Sequence, residues 1–279
     1  ACGGAHHWGR QFREMGHDVR LIAPQFVKPY VKGNKTDRND AAAICEAAQR
    51  PEMRFVSLKT VEQQQVLALH RLRQGAVKAR TALINQLRGL LTEFGVVAPL
   101  GHAALRAMLA AQVGEGSSFV PALLRAELAR QRARLDELDA EVKHLTNELE
   151  RLARENARSN RLMARRGVGP LIASAFAAEI GDPGVFHNGR QVSAWLGLVP
   201  RQHSSGGKPR LLGISKRGDA YLRTLLIHGA RAVVRTASRH DDPLSRWVHD
   251  LAVRRGAHKA TVAVANKLAR QMWAELAHA

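Results

Sequence analysis

The sequence predicts three successive parts: a partial α/β domain, a long coiled-coil helix, and a mainly α-helical C-terminal domain. Three observations carry that division. Residues 5–58 alternate helical periodicity with short apolar runs in the order helix, strand, helix, strand. Residues 122–155 hold a seven-residue apolar repeat. Beyond residue 157 the chain turns strongly basic and its apolar residues recur at helical spacing. The boundaries fall at 1–98, 99–156 and 157–279.

In the first part, residues 5–16 read as a helix with Trp8, Phe12 and Met15 on one face and Gly16 as its stop. Residues 19–23 form a short strand ended by Pro24. Residues 25–35 are a loop or short helix that offers Lys28, Lys32 and Lys35 to phosphates. Thr36 or Asp37 caps a helix that runs to about Gln49, where Pro51 interrupts it. Residues 55–58 make a second strand, and this order of elements implies a parallel sheet. Residues 61–94 are helical, with Leu83, Leu87, Leu90, Leu91 and Phe94 in one stripe closed by Gly95, Pro99 and Gly101.

In the second part, residues 102–113 form a short helix. Then Leu124, Leu128, Gln131, Leu135, Leu138, Val142, Leu145, Leu149 and Leu152 step by four and three. This is a heptad seam with one polar exception, spanning the roughly four heptads that a coiled coil requires. Strict spacing and charged flanks favour association with another copy, as a dimer or tetramer, over packing on the helix's own domain.

In the third part, residues 159–166, the turn Gly167-Val168-Gly169-Pro170 and residues 171–180 give a helix-hairpin-helix-like motif. Its turn amides, at Gly167 and Gly169, and the adjacent Arg165 and Arg166 suit a DNA phosphate. Residues 190–198 form a short helix with Trp195 buried. Residues 220–234, 244–253 and 261–276 are further helices, with Leu222, Leu225, Leu226, Val233 and Val234 in the core and Asp219 as a cap.

Charge narrows the function. Lys and Arg total 43 against 24 acids, a net of +19. Residues 157–279 carry 20 basic and 7 acidic side chains, whereas residues 1–156 carry 23 and 17. An excess of this size makes nucleic acid the default partner. Cys2 and Cys45 show no C-x-x-C spacing, which argues against a zinc site or a disulfide framework. No apolar run approaches the ~18 residues of a membrane span, so a cytoplasmic protein with no membrane partner is expected.

The stretch 199–226, VPRQHSSGGKPRLLGISKRGDAYLRTLL, sets Ser204 and Ser205 against Gly206 and Gly207. Lys208, Arg210, Lys216, Arg217 and Arg223 surround them. Glycines allow close approach of backbone to a ligand, and successive N–H groups in such a loop favour anions. Together with residues 21–41, LIAPQFVKPYVKGNKTDRNDA, this stretch resembles the DEDD-type, RuvC-like bacterial insertion-sequence transposases. These are RNA-guided (bridge-RNA) serine recombinases. The two blocks occur in the family's order, and the resemblance spans nearly the whole chain.

What the resemblance implies is specific. The first part would be a RuvC/RNase H-like domain in which four acids hold Mg²⁺, and Asp37 and Asp40 match the last two. The first two acids would precede Ala1, so the chain is expected to be N-terminally truncated and its metal site incomplete. Ser205, directly before Gly206, would attack a DNA phosphodiester, and Ser204 is the less favoured register. Lys208, Lys216 and Arg217 would neutralise developing charge, and guide RNA would select the sites. Residue spacing alone favours a structural role instead, Asp37 or its neighbour capping the helix and Asp40 at the positive end of its dipole. Two alternatives are a metal-only RuvC-like nuclease or resolvase, and an inactive nucleic-acid-binding remnant.

Overall fold

The computed structural model describes residues 3–113 and 120–278; Ala1 and Cys2, part of the expected opening turn, lie outside them. The chain forms two compact units, one of residues 1–66 and 153–279 and the other of residues 67–152.

The first unit opens with α1 (Ala5–Glu14), β1 (Leu21–Ile22), α2 (Pro24–Val27), a 3-10 turn (Lys28–Tyr30), α3 (Asp37–Ala48) and β2 (Phe55–Val56). Thr36 is the cap of α3, its hydroxyl accepting the Asn39 N–H at 3.2 Å. The sheet corrects the sequence expectation: β1 and β2 pair antiparallel, Leu21 opposite Val56 and Ile22 opposite Phe55. The connection explains why. The short α2 and the 3-10 turn both pack back on α3, so the chain leaves and re-enters the sheet at the same end. A parallel crossover needs a single return past the sheet. Trp8 and Phe12 of α1 and Met15 just past its end remain exposed, while Gly9 meets Leu58.

The C-terminal portion of this unit is helical. It comprises α7 (Ala157–Met163), α8 (Pro170–Ile180), α9 (Gly189–Trp195), α10 (Ala220–Thr236), α11 (Pro243–Arg255) and α12 (Ala257–Ala277). Nearly every residue of α8 is buried, Phe176 completely, as expected of a helix that is apolar all round. It packs on α7 and α10, and α12 packs on α9, α10 and α11. Ile172, Phe176, Leu226, Val233, Leu268 and Met272 join in one core. Full burial of such a side chain is worth roughly 1.5–3 kcal/mol. Trp195, expected in the core, is half-buried at its margin, edge-on to Phe186. Between α9 and α10 a hairpin of β3 (Pro200–Gln202) and β4 (Leu211–Ile214) projects.

Residues 1–66 are tied to α8 by a part-buried ion pair: Lys59 Nζ lies 3.4 Å from Glu179 Oε1. Arg10 donates to the Lys59 carbonyl at 2.7 Å, and the Lys59 N–H donates to His6 Nδ1 at 3.2 Å.

The second unit contains most of α4 (Val61–Glu93), α5 (His102–Val113) and most of α6 (Ala122–Glu155). Arg73 Nε donates to Thr146 Oγ1 at 2.7 Å and Arg80 Nη1 to Asp139 Oδ1 at 3.0 Å. Each bond lies seven residues along α4 from the other and seven back along α6, so the helices run antiparallel in heptad register. Leu83, Leu87 and Leu91 of α4, Leu105 and Leu109 of α5, and Leu128 and Leu135 of α6 form one buried cluster. The α6 seam, expected to recruit another copy, is therefore filled from within the chain. The physical reason is supply: α4 carries its own leucine stripe, and the chain's own helix is always at hand.

Candidate functional site

Residues 200–214 form a β-hairpin with a pinned root and an exposed tip. At the root, the Ser215 N–H donates to the Val199 carbonyl at 2.8 Å and the Lys216 N–H to the Gly197 carbonyl at 3.1 Å. Arg223 Nη1 donates to the carbonyls of Leu196 and Arg217, at 3.0 and 3.1 Å. Gly218 needs its lack of a side chain here, since a Cβ would stand 1.8 Å from the Trp195 carbonyl oxygen. Lys216 sits in the left-handed region at φ 56°, a conformation that costs a non-glycine residue roughly 1–2 kcal/mol.

At the tip, Gly206 (φ 55°) and Gly207 (φ 73°) both take positive φ, as a two-residue type I′ hairpin turn requires. Ser205 and Lys208 flank the turn and pair across it, the Lys208 N–H donating to the Ser205 carbonyl at 3.0 Å. Residues paired in this way present their side chains on one face of the ribbon. The two serines differ in what they touch. Ser204 Oγ accepts the Arg210 N–H at 3.1 Å and a Gln202 side-chain N–H at 2.8 Å, which stitches the strands together. Ser205 is exposed, and its hydroxyl makes no hydrogen bond among the described residues.

The expected DNA-contacting residues divide sharply. Lys208, Lys216 and Arg217 are exposed on or beside the hairpin, and Lys28, Lys32 and Lys35 are exposed just before α3. Arg165 is instead paired with Glu275. Arg166 reaches Asp242 Oδ2 at 2.8 Å and Ser245 Oγ at 2.7 Å, fixing the start of α11. Hydrogen bonds from Ser245, joined by Arg166, hold the Asp242 carboxyl far below the usual carboxylate range. Gly167 turns at φ 88° directly against α10, and Gly169 caps α8. Arg223 is occupied at the hairpin root.

Asp37 and Asp40 lie in the first turn of α3, Asp37 exposed and Asp40 half-buried. Among the described residues no group of three or more His, Cys, Asp or Glu is gathered that could hold a metal. Two carboxylates three residues apart on one helix face do fit Mg²⁺ of the kind bound by one or two carboxylates plus substrate phosphates. No hydrogen bond or ion pair joins Ser205 to either acid among the described residues. Among those residues, no helix is long and apolar enough to cross a membrane.

Residues 159–245, which include the hairpin, match the family described as Transposase IS116/IS110/IS902 family, and residues 5–96 match a second transposase family, the DEDD type. The chain is 54% identical over 277 residues to a probable family 20 transposase of Pseudomonas aeruginosa, covering 99% of this chain and 82% of that one. The chain belongs to the IS116/IS110/IS902 transposase family. It is also 50% identical over 280 residues to the transposase for insertion sequence element IS1111A of Coxiella burnetii, covering 99% of this chain and 76% of the relative. The transposase for IS1328 of Yersinia enterocolitica is 40% identical over 273 residues, 98% of this chain and 81% of the relative.

As an insertion-sequence transposase, the chain is an enzyme that cuts and rejoins DNA. The Lys59–Glu179 pair joins the two family segments inside one unit. One feature of this transposase escaped the sequence reading. Lys259, Asn266, Arg270 and Trp273 fall on a single face of α12, and their spacing of seven, four and three is the signal that could have revealed it.

Proposed function

We propose that this transposase breaks and reseals DNA through the hydroxyl of Ser205. The observation that carries this reading is the contrast at the hairpin tip: Ser204 is bonded into the ribbon, whereas Ser205 stands exposed and opposite Lys208. In the proposed step Ser205 Oγ attacks phosphorus, an O–P bond forms, and the P–O bond to the departing deoxyribose oxygen breaks. The serine proton leaves to solvent or a nearby base, and the departing oxygen takes one up. One phosphodiester replaces another, so bond energy is conserved for rejoining. Lys208, with Lys216 and Arg217 at the root, offsets the charge that develops on the phosphoryl oxygens.

Asp37 and Asp40 would hold Mg²⁺ with phosphate oxygens completing its shell, and bound there it would act as a Lewis acid on the scissile phosphate. Lys28, Lys32 and Lys35 would position the DNA backbone next to that pair. The resemblance to the bridge-RNA recombinases supports selection of sites by guide RNA, and the net charge of +19 suits two polyanions. Two or more copies would share the reaction. Because the α6 seam is filled, they would meet through another surface.

The test is capture of a covalent protein–DNA adduct on a denaturing gel, with element-end DNA, guide RNA and Mg²⁺. Wild type and Ser204→Ala should both give the adduct, and Ser205→Ala should give none. An adduct that survives in Ser205→Ala overturns the assignment. Cleavage without an adduct in wild type would favour the metal-only nuclease. Neither product would favour the inactive remnant.

A further inference from the structure

We propose that a groove at the root of the serine hairpin binds an unpaired segment of DNA, its bases against Trp247 and Trp273 and its phosphates against Arg190, Lys259, Lys267 and Arg270. The groove has a volume of about 910 Å³ and lies between α9, α11, α12 and the hairpin, with Pro200 of β3 and Ile214 of β4 in its wall. That is near the upper end of the roughly 300–1,000 Å³ usual for ligand sites.

Its chemistry is one-sided. Among the described residues, four cations line it and no acidic side chain does. Arg165 and Arg166 are neutralised by carboxylates elsewhere in the unit, whereas none of these four is in an ion pair among the described residues. Lys267 Nζ instead sits 4.4 Å from the centroid of the Trp247 ring, so its charge is held on an aromatic wall and stays available to an anion. Trp273 is fixed by its indole N–H, which donates to the Pro183 carbonyl at 3.0 Å. Both tryptophans are half-buried, rooted in the core and open at one side.

Rigid aromatic faces interleaved with cations are what single strands require, since any unpaired base can stack and any phosphate can pair. In a duplex the bases are already stacked on one another and offer such faces only their edges. Position favours DNA over RNA as the occupant. Ser205 lies five residues beyond Pro200, or about 17 Å along an extended ribbon. An unpaired strand leaving the tip reaches the groove within a few nucleotides. The groove would thus hold the strand that is opened beside the cut. This inference rests on the reading of Ser205 as the residue that meets DNA.

The experiment uses the Ser205→Ala chain, so that binding is read without covalent chemistry. Fluorescence anisotropy compares a labelled single-stranded oligodeoxynucleotide, the same sequence as duplex, and the matching oligoribonucleotide. The single-stranded DNA should bind tightest. The combined Arg190→Glu, Lys259→Glu and Arg270→Glu variant, all at exposed positions, should weaken it at least tenfold. Its log–log salt dependence should also fall by about two, for three contacts at about 0.7 each on a single strand. A second measurement needs no groove substitution: photo-crosslinking of a 5-iodouracil oligodeoxynucleotide should map to the peptides that carry Trp247 or Trp273. Unchanged affinity in the triple variant, preference for duplex or RNA, or crosslinks confined to other peptides would each overturn the proposal. No covalent adduct from the wild-type chain, with groove binding intact in Ser205→Ala, would sink the serine reading alone.

Discussion

Gly167 and Gly229 meet backbone to backbone: a Cβ on Gly229 would stand 2.1 Å from the Gly167 carbonyl oxygen. The turn before α8 is thereby seated on α10, and neither position has room for a methyl group. Gly229→Ala should force the two helices apart and cost about 1–3 kcal/mol or more, visible as a lowered melting temperature. Gly75, exposed inside α4 with nothing within 4 Å of a Cβ, provides the opposite case. Gly75→Ala should stabilise by about 0.5–1 kcal/mol in the same assay.

The turn glycines should be replaceable only by residues that tolerate positive φ. Gly206→Asn is expected to keep most adduct formation, because asparagine enters a type I′ turn readily. Gly206→Val should lose most of it while the global melting temperature stays within about 1 °C, since the tip contributes nothing to the core. Equal activity in the two variants would show that the turn geometry does not position Ser205.

Filling of the α6 seam from within has a thermodynamic signature. Leu135 is fully buried, and Leu135→Ala should cost about 2–5 kcal/mol. The loss should be the same at every protein concentration, because no partner chain is withdrawn. A melting temperature that rises with concentration in wild type, and stops doing so in Leu135→Ala, would restore an intermolecular role for the seam.

His70 makes the second unit sensitive to acid. Burial, with a smaller contribution from Arg73, pulls its imidazole down from 6.5 to about 4. The folded chain therefore keeps it neutral while the unfolded chain takes up a proton below about pH 6.5. Stability is fully present above that value and is lost as pH falls toward 4, by roughly 3 kcal/mol for this group. Urea unfolding of wild type and His70→Gln between pH 7 and 4.5 should show a shallower acid loss in the variant.

Arg166 should behave as a structural residue. Arg166→Ala strands Asp242 and Ser245 at the start of α11, and thermal stability should drop while the salt slope of DNA binding is unchanged. Lys208→Ala should do the reverse, lowering the slope by close to one unit with little change in melting.

Much of this was legible in the residues. Thr36 and Asp219 cap the helices that their side chains suggested, and the leucine stripes of α4 and α6 marked faces that had to be buried. Periodicity cannot say which partner a face will find, and here the nearer stripe won. Strand direction was misread because it depends on where α3 returns the chain, which two-residue strands do not encode. The arginines beside Gly167 looked available for phosphate because Glu275 and Asp242 stand far away in sequence and adjacent in space. At the hairpin the residue types did reveal the turn, but only the bonds of Ser204 separate the two hydroxyls.

The dependence of the C-terminal core on α12 bears on how this protein can be dissected. The family segment at 159–245 stops inside α11, before Val264, Ala265, Leu268, Ala269 and Met272, which close the same apolar interior. A fragment trimmed to that segment would leave α9 and α10 uncovered and invite aggregation. Useful truncations must run at least through Leu276, and because Glu179 needs Lys59, they should keep the first sixty residues as well.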